Sequence, residues 1–287
     1  MFVIVGIVIV FGALMAGYLM AGGNIGVLMQ ISEFIIIGGA AVGSLVIANS
    51  MATIKKIIAG VLQTLKGPRV NKTAYVELLM LLYEIFQFAK REGLIALESH
   101  VENPESSSIL SKYPTFLENE HGVEFLCDTL KVVLSGGVPA YDLEELMDID
   151  LEAHHAEELV APAALSTMAD AFPGLGIVAA VLGVVITMQS ISEGAETVGH
   201  HVAAALVGTF LGVLLSYGLV GPIARNMDNI VQKESRYMQA IKASLLSFAK
   251  GAPAAVAIEY GRRAIDPENR PSFKETEDAI KQTKSKT

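Results

Sequence analysis

The titratable side chains nearest the long apolar stretches of this sequence are Glu33, Asp170, His200 and His201. A carboxyl or imidazole set against apolar helices is the chemistry of ion transfer across a bilayer, where an ionisable group must receive the ion. All four residues lie at the ends of apolar runs, and the interiors of the runs hold no charged residue. Either this chain carries no ions, or a partner supplies the missing group.

Other chemistry-bearing patterns carry less. Gly174-Leu175-Gly176-Ile177-Val178-Ala179 fits a loose dinucleotide pattern, but it lies inside an apolar run with no preceding strand. His154, His155, Glu157 and Glu158 suggest a metal site, and a solvated acidic helix face explains them more simply. The single Cys127 excludes an internal disulfide and a Cys-based zinc site. No P-loop, HExxH or nucleophile–base–acid set occurs, so an enzyme has no support. The net charge of −9 argues against nucleic acid as a partner.

The elements that hold these residues follow from composition. The 287 residues are 52% hydrophobic, yet 18% are charged, so the two properties must be segregated along the chain. Met1–Ala21 is apolar over about the 20 residues that cross a bilayer. It has no basic n-region and outruns a signal peptide's apolar core, so it reads as a retained span. Gly22-Gly23-Asn24 marks a turn. A second span covers Ser32–Met51 with Glu33 at its outer mouth, a third Phe172–Ser192 and a fourth His201–Pro222. Four such runs are spans rather than buried helices of a soluble protein. All 21 basic residues lie in Ala52–Asp170 or after Pro222. By the positive-inside rule those segments are cytoplasmic, and so are both termini. Asn71-Lys72-Thr73 then faces the cytoplasm and is no glycosylation site.

The expected fold is all-α: a polytopic membrane protein with four transmembrane helices and a helical cytoplasmic domain. The first two spans take up 1–51, the cytoplasmic domain 52–171, the last two spans 172–222, and a cytoplasmic helix and tail 223–287. Small residues four apart, at Ala13/Gly17, Gly39/Gly43, Gly176/Ala180 and Gly208/Gly212, allow close helix contact within one protomer or between protomers. Ile54, Ile57, Ile58, Val61, Leu62 and Leu65 form one helical stripe, for a helix at the inner membrane surface or packed in the cytoplasmic domain. Further helices are expected over Tyr75–Ala89, Leu94–Val101, Val123–Val133 and Asp142–Glu158, with a helix from the fourth span to Phe248. The tail Lys281–Thr287 is polar and basic, and is expected to be disordered.

Several segments carry a family resemblance. They are Gly17-Tyr18-Leu19-Met20 with Gly22-Gly23, Ala96-Leu97-Glu98 with Glu102-Asn103-Pro104, and Phe172-Pro173 with Gly176–Gly183. Val207–Gly212 with Gly221-Pro222, Glu259–Arg263 and Arg270-Pro271-Ser272-Phe273 complete the set. Together they resemble the MotA family of flagellar motor stator proteins, within the wider MotA, TolQ and ExbB proton-channel group. The resemblance implies an inner-membrane, multi-pass stator protein forming a homo-oligomeric ring, a pentamer, in the lipid bilayer. Its partner is a B-type stator protein with one transmembrane helix, an ion-binding Asp and a peptidoglycan-binding domain. The resemblance also implies an ion path with Ala180 and Thr209, coupling through Pro173 and Pro222, and contact with the rotor's switch protein through Lys90, Arg91 and Glu98. Asp170 and Glu33 stand at the span mouths, where they would help ions enter or leave. Proline near a span end is also ordinary punctuation.

Lys90 stands where the family often has Arg, which keeps the charge and loses the planar fork. Lys90 and Arg91 lie eight and seven residues from Glu98, near two helical turns, so one charged strip is expected. Sodium-driven relatives carry Thr where Ala180 stands; Ala180 offers no side-chain oxygen, so the expected coupling ion is the proton, with no other cofactor. A TolQ/ExbB-like energiser is the nearest alternative, but such proteins have three spans and lack the short first hairpin. A membrane scaffold without ion flux is the third.

Overall fold

A computed structural model describes residues 2–67 and 69–284. Every regular element among those residues is a helix, with no strand among them. The longer helices are α1 (Phe2–Met20), α2 (Ile31–Ala48), α3 (Met51–Lys66), α4 (Lys72–Glu92), α5 (Glu120–Ser135) and α6 (Ala140–Gln189). They are followed by α7 (Ala195–Val213), α8 (Gly221–Ala249), α9 (Ala254–Ala264) and α10 (Phe273–Lys284). Four helical stretches are long and apolar enough to cross a membrane: Phe2–Met20, Ile25–Ala48, and parts of Ala140–Gln189 and Ala195–Ala249.

The chain divides into two compact units, Met1–Gly67 with Glu158–Ile230 and Pro68–Glu157 with Val231–Thr287. These bounds differ from the expected domain limits at 52, 172 and 223, because the residues flanking the spans pack with the spans. Helix α3 shows why. Ser50 accepts the Thr53 amide at 3.2 Å and starts the helix; Gly67, at φ +98°, ends it. Its apolar stripe buries Ile57 in one cluster with Ala161, Leu165, Ala224 and Met227, all within the first unit. On the same stripe, Ile58 and Leu62 stay exposed.

In the first unit, α1 buries no residue of its own. One side of it is half covered, with Val10 Cγ1 3.3 Å from where a Cβ on Gly218 would be, and the rest is exposed, as expected for a helix whose solvent is lipid. The turn after it is built by Gly22 at φ +82° and by Gly23, whose missing side chain leaves room for the Tyr18 ring. Asn24 caps the short helix Ile25–Leu28 by accepting the Gly26 amide at 2.9 Å.

Two expectations about the later spans need correction. The helix expected over Asp142–Glu158 and the third span are one continuous helix, α6, with Pro162 and Pro173 inside it. The Ala-rich stretch between them favours helix strongly enough to carry through the prolines. The fourth span is not one regular helix. Between α7 and α8, Leu214–Val220 widens to a π-helix, and the Gly221 amide donates to the Ser216 carbonyl.

The core of the second unit forms around α4. Leu78, Leu81, Leu82 and Phe86 are fully buried; Phe86 stacks on Phe248 with centroids 4.3 Å apart, and Tyr75 meets Tyr237 at 5.4 Å. Cys127 is buried in this core, and that burial pushes its thiol up to about 11. His154, from the suspected metal cluster, stacks on His121 with ring centroids 3.3 Å apart.

The tail is more ordered than its composition implies. Ser272 and Glu275 form a capping box: the Glu275 amide donates to Ser272 Oγ at 3.2 Å and the Ser272 amide to Glu275 Oε2 at 2.7 Å. Lys72 adds a 2.7 Å ion pair to Glu275. The resulting helix runs to Lys284, so Lys281–Lys284 are helical; the last three residues of the expected disordered tail lie outside the described residues.

Glu259 knits α9 together. Arg262 donates to both its oxygens at 2.7 Å and Arg263 to one at 2.7 Å. The Arg262 hydrogen bond first, and then Arg263, hold the carboxyl well down, at about 2. Unfolding returns it to the ordinary range, so its stabilising effect is complete above about pH 4.5 and fades as pH falls toward 2. Glu259→Gln is expected to lower the thermal midpoint of the purified protein at neutral pH, with the gap from the unmutated chain narrowing at about pH 3. An equal gap at both pH values would count against this role.

Candidate functional site

The third and fourth spans touch backbone to backbone. A Cβ on Gly176 would lie 2.8 Å from the Gly208 carbonyl oxygen and 3.3 Å from Thr209 Cα. One on Gly212 would lie 2.5 Å from the Phe172 carbonyl oxygen, and one on Gly183 2.7 Å from Ala205 Cβ. Inside lipid such approach replaces the hydrophobic drive that water would supply. The small residues of the third and fourth spans thus serve contact within the chain. Gly17, Gly39 and Gly43 have nothing within 4 Å and stay open. Ala180 and Thr209 lie half-buried along the α6–α7 seam.

Glu33 departs from its expected place. It is the third residue of α2, yet it is only 4% exposed. Its Oε2 lies 2.5 Å from where a Cβ on Gly208 would be, and the same point is 3.2 Å from Ala179 Cβ and 3.3 Å from the Ala180 amide nitrogen. Ala180 is nine residues before the end of α6 at Gln189, and Gly208 thirteen after the start of α7 at Ala195. At about 1.5 Å per residue, that is about 14 and 20 Å of helix. The α1–α2 hairpin is short and turns deeper than the α6–α7 pair, so its outer mouth meets the middle of the other two spans. The structure thereby gathers Glu33, Ala180 and Thr209 around Gly208.

Asp170, exposed on α6, and Pro222, exposed on α8, line one crevice of about 670 Å³ together with Ser216, Tyr217, Arg225 and Asp228. Pro173 is half-buried on α6, away from that lining. Pro173 is not punctuation at a helix end, and Pro222 is the second residue of α8, with one residue between it and the π segment. Pro173 sits within α6 and leaves the Ala169 carbonyl without its usual donor. Pro222 can neither donate to nor fit against the Gly218 carbonyl in an α-turn; a wider turn removes the conflict. The Gly221-Pro222 pair is the sequence signal for this irregularity.

The expected charged strip is not one helix face. Lys90 and Arg91 are exposed in the last turn of α4, which ends at Glu92. Gly93, at φ +90°, turns the chain into a 3-10 segment, Leu94–Leu97, and the exposed Glu98 opens a one-turn helix, Glu98–Glu102. Glu-Gly at 92–93 is the helix-stop signal that two-turn spacing overlooks. Glu98 instead lines a groove of about 460 Å³ with Ile95, Val101, Glu102, Lys131, Leu134 and Ser135. Ile95 is 78% exposed, and nothing in its sequence neighbourhood singles it out.

Comparison with known proteins agrees with this architecture. Residues 4–93 match the model for the motility protein A N-terminal region, and residues 118–240 that for the MotA/TolQ/ExbB proton channel family. Motility protein A of Salmonella typhimurium is 35% identical, over 98% of this chain and 95% of its own. Motility protein A of Escherichia coli is 36% identical, over 99% and 97%. Chemotaxis protein LafT of Vibrio parahaemolyticus is 36% identical, over 95% of each. The fold matches a chain of Campylobacter jejuni MotAB with a TM-score of 0.76 at 20% identity, covering 94% of this chain and 98% of that one. A chain of the Bacillus subtilis flagellar MotAB stator complex gives 0.71 at 24% identity, with 89% and 92% covered. Near-full-length identity above a third, on an all-helical four-span frame, makes this chain a member of the motility protein A family, within the MotA/TolQ/ExbB proton channel group.

Proposed function

We propose that this chain is the A-type component of a flagellar stator, which with a single-span B-type partner forms a proton channel and converts ion flow into torque on the rotor. The observation that carries the reading is the backbone-close seam of the third and fourth spans, with Ala180 and Thr209 along it and small residues throughout. The two stretches that form the seam, 172–189 and 202–213, supply no titratable group of their own. An Asp on the partner's single span is the group that fits, since a charge at mid-bilayer costs from about 2.5 kcal/mol upwards unless paired or wetted. The coupling ion is the proton, because Ala180 and Thr209 together offer too few oxygens to replace a sodium hydration shell.

The largely exposed α1 calls for company, and the similarly folded chains come from MotAB complexes; both support assembly with further copies and the partner, in our reading as a pentameric ring. The basic-residue asymmetry supports an inner-membrane location with both termini cytoplasmic. The exposed Lys90, Arg91 and Glu98 then meet the rotor's switch protein. Pro173 and Pro222 are where a change of packing in the spans passes on to the helices beyond, and Asp170 borders the ion's exit. No step of this cycle requires catalysis of a covalent reaction by the chain.

Proteoliposome flux tests the reading. The chain alone is expected to leave a pH gradient standing, the chain with its partner to dissipate it at a rate independent of sodium, and the partner's Asp→Asn variant to restore the seal. Selective proton flux from this chain alone, or flux that tracks sodium, would sink it.

A further inference from the structure

Glu33 has an unmet need. Its Oε2 is buried and finds no hydrogen-bond partner. Among the described residues, no acidic or basic side chain of the neighbouring span interiors lies near it in sequence. Helix α2 has no other titratable residue, Ile25–Leu28 has none, and α1 has only Tyr18, whose hydroxyl donates to the Asn24 carbonyl at 3.3 Å. On α7 the nearest to Gly208 are His201 and His200, seven and eight residues away, and on α6 the nearest to Ala180 is Asp170, ten residues away. Those separations are about 10–15 Å along a helix. The lysines of α3 lie beyond the far end of α2. An ionised carboxylate with an orphan oxygen is untenable in such surroundings, and native structures leave few buried polar atoms unpaired.

The surroundings are shaped to keep the carboxyl there. A side chain at Gly208 would collide with Oε2, so the glycine is a notch in α7 through which Glu33 reaches the seam holding Ala180 and Thr209. A mere spacer in this notch would be served as well by an apolar residue, without the desolvation.

We infer that Glu33 is a proton-binding site belonging to this chain, which takes a proton from the outer side and passes it through the Gly208 notch to the ion path. The inference rests on the proton-channel reading above. The O–H bond formed on Glu33 breaks when the proton moves to water or to the partner's carboxylate, so the group returns to its starting state. In the packed arrangement described here, the carboxyl holds its proton.

The test uses the chain reconstituted with its partner, as the unmutated complex, Glu33→Gln and Glu33→Asp. Infrared difference spectra should show, at neutral pH, a protonated-carboxyl band that Glu33→Gln removes and Glu33→Asp displaces. Proton flux should fall about tenfold in Glu33→Gln, with its pH of half-maximal flux moved by about one unit, and Glu33→Asp should recover the original profile. If Glu33→Gln does not assemble, the displaced band in Glu33→Asp decides alone. Identical bands in all forms, or an unchanged pH profile, overturns the inference. The partner's Asp→Asn variant separates the two ideas: flux that survives it defeats the channel reading, while the Glu33 band is still read in that same complex.

Discussion

Lys90→Glu combined with Glu98→Lys should all but abolish swimming while the protein stays in the membrane at its normal level. Each side chain is exposed, so neither reversal disturbs a packed core. Exposed ion pairs contribute only about 0–1 kcal/mol each, so a rotor contact built from them must be shared among several charges. A single neutralisation is therefore expected to weaken motility and a double reversal to nearly remove it, because like charges then oppose one another at two points. The two positions belong to different elements joined at Gly93, so the proposed contact is a corner, with the Glu98 groove and Ile95 beside it. Swimming speed, read alongside membrane abundance, checks the prediction; full motility in the double reversal would show that this corner is not the contact.

Valine at Gly212 or Gly176 should cost the protein its native packing altogether. The atoms that a new Cβ would meet are backbone: the Phe172 carbonyl oxygen at 2.5 Å from position 212 and the Gly208 carbonyl oxygen at 2.8 Å from position 176. Backbone in a packed helix pair has no rotamer to escape into, and overpacking of this kind costs about 1–3 kcal/mol or more. Loss of the chain from membranes, or a collapse of its detergent melting curve, is the expected readout. The same change at Gly39 or Gly43 meets nothing within 4 Å in the single chain and should leave its folding intact. If those variants fold but fail to swim, their faces touch another copy or the partner. A Gly212→Val chain that melts normally would contradict the close-contact argument.

Much of the fold is legible in the sequence because its strongest signals are long and redundant. Apolar runs of bilayer length without interior charge mark the spanning helices without any packing detail. Features set by a single residue's surroundings are less accessible. Glu33 looks like a mouth residue because its position along α2 says nothing of how deep the first hairpin reaches beside α6 and α7; only the contact at Gly208 reveals it. Pro173 looks like punctuation near a span end because propensity treats proline locally, whereas the helix runs on through it and through Pro162. The Ser272–Glu275 capping box is visible in the letters, but the polar composition of the tail outweighs it. Lys90, Arg91 and Glu98 emerge from resemblance, and the groove beside Glu98 needs three dimensions.

The π segment at Leu214–Val220 alters how the fourth span should be compared with its relatives. A π-turn takes in one residue more than an α-turn, and one residue is about 100° of rotation at 3.6 residues per turn. A helical wheel drawn straight through from Ala195 to Ala249 therefore slips out of phase halfway along. Residues above and below the segment that share a wheel position do not share a face. Thr209 and Arg225 must be charted on separate wheels, and substitutions on the two sides of the segment cannot be pooled as one stripe.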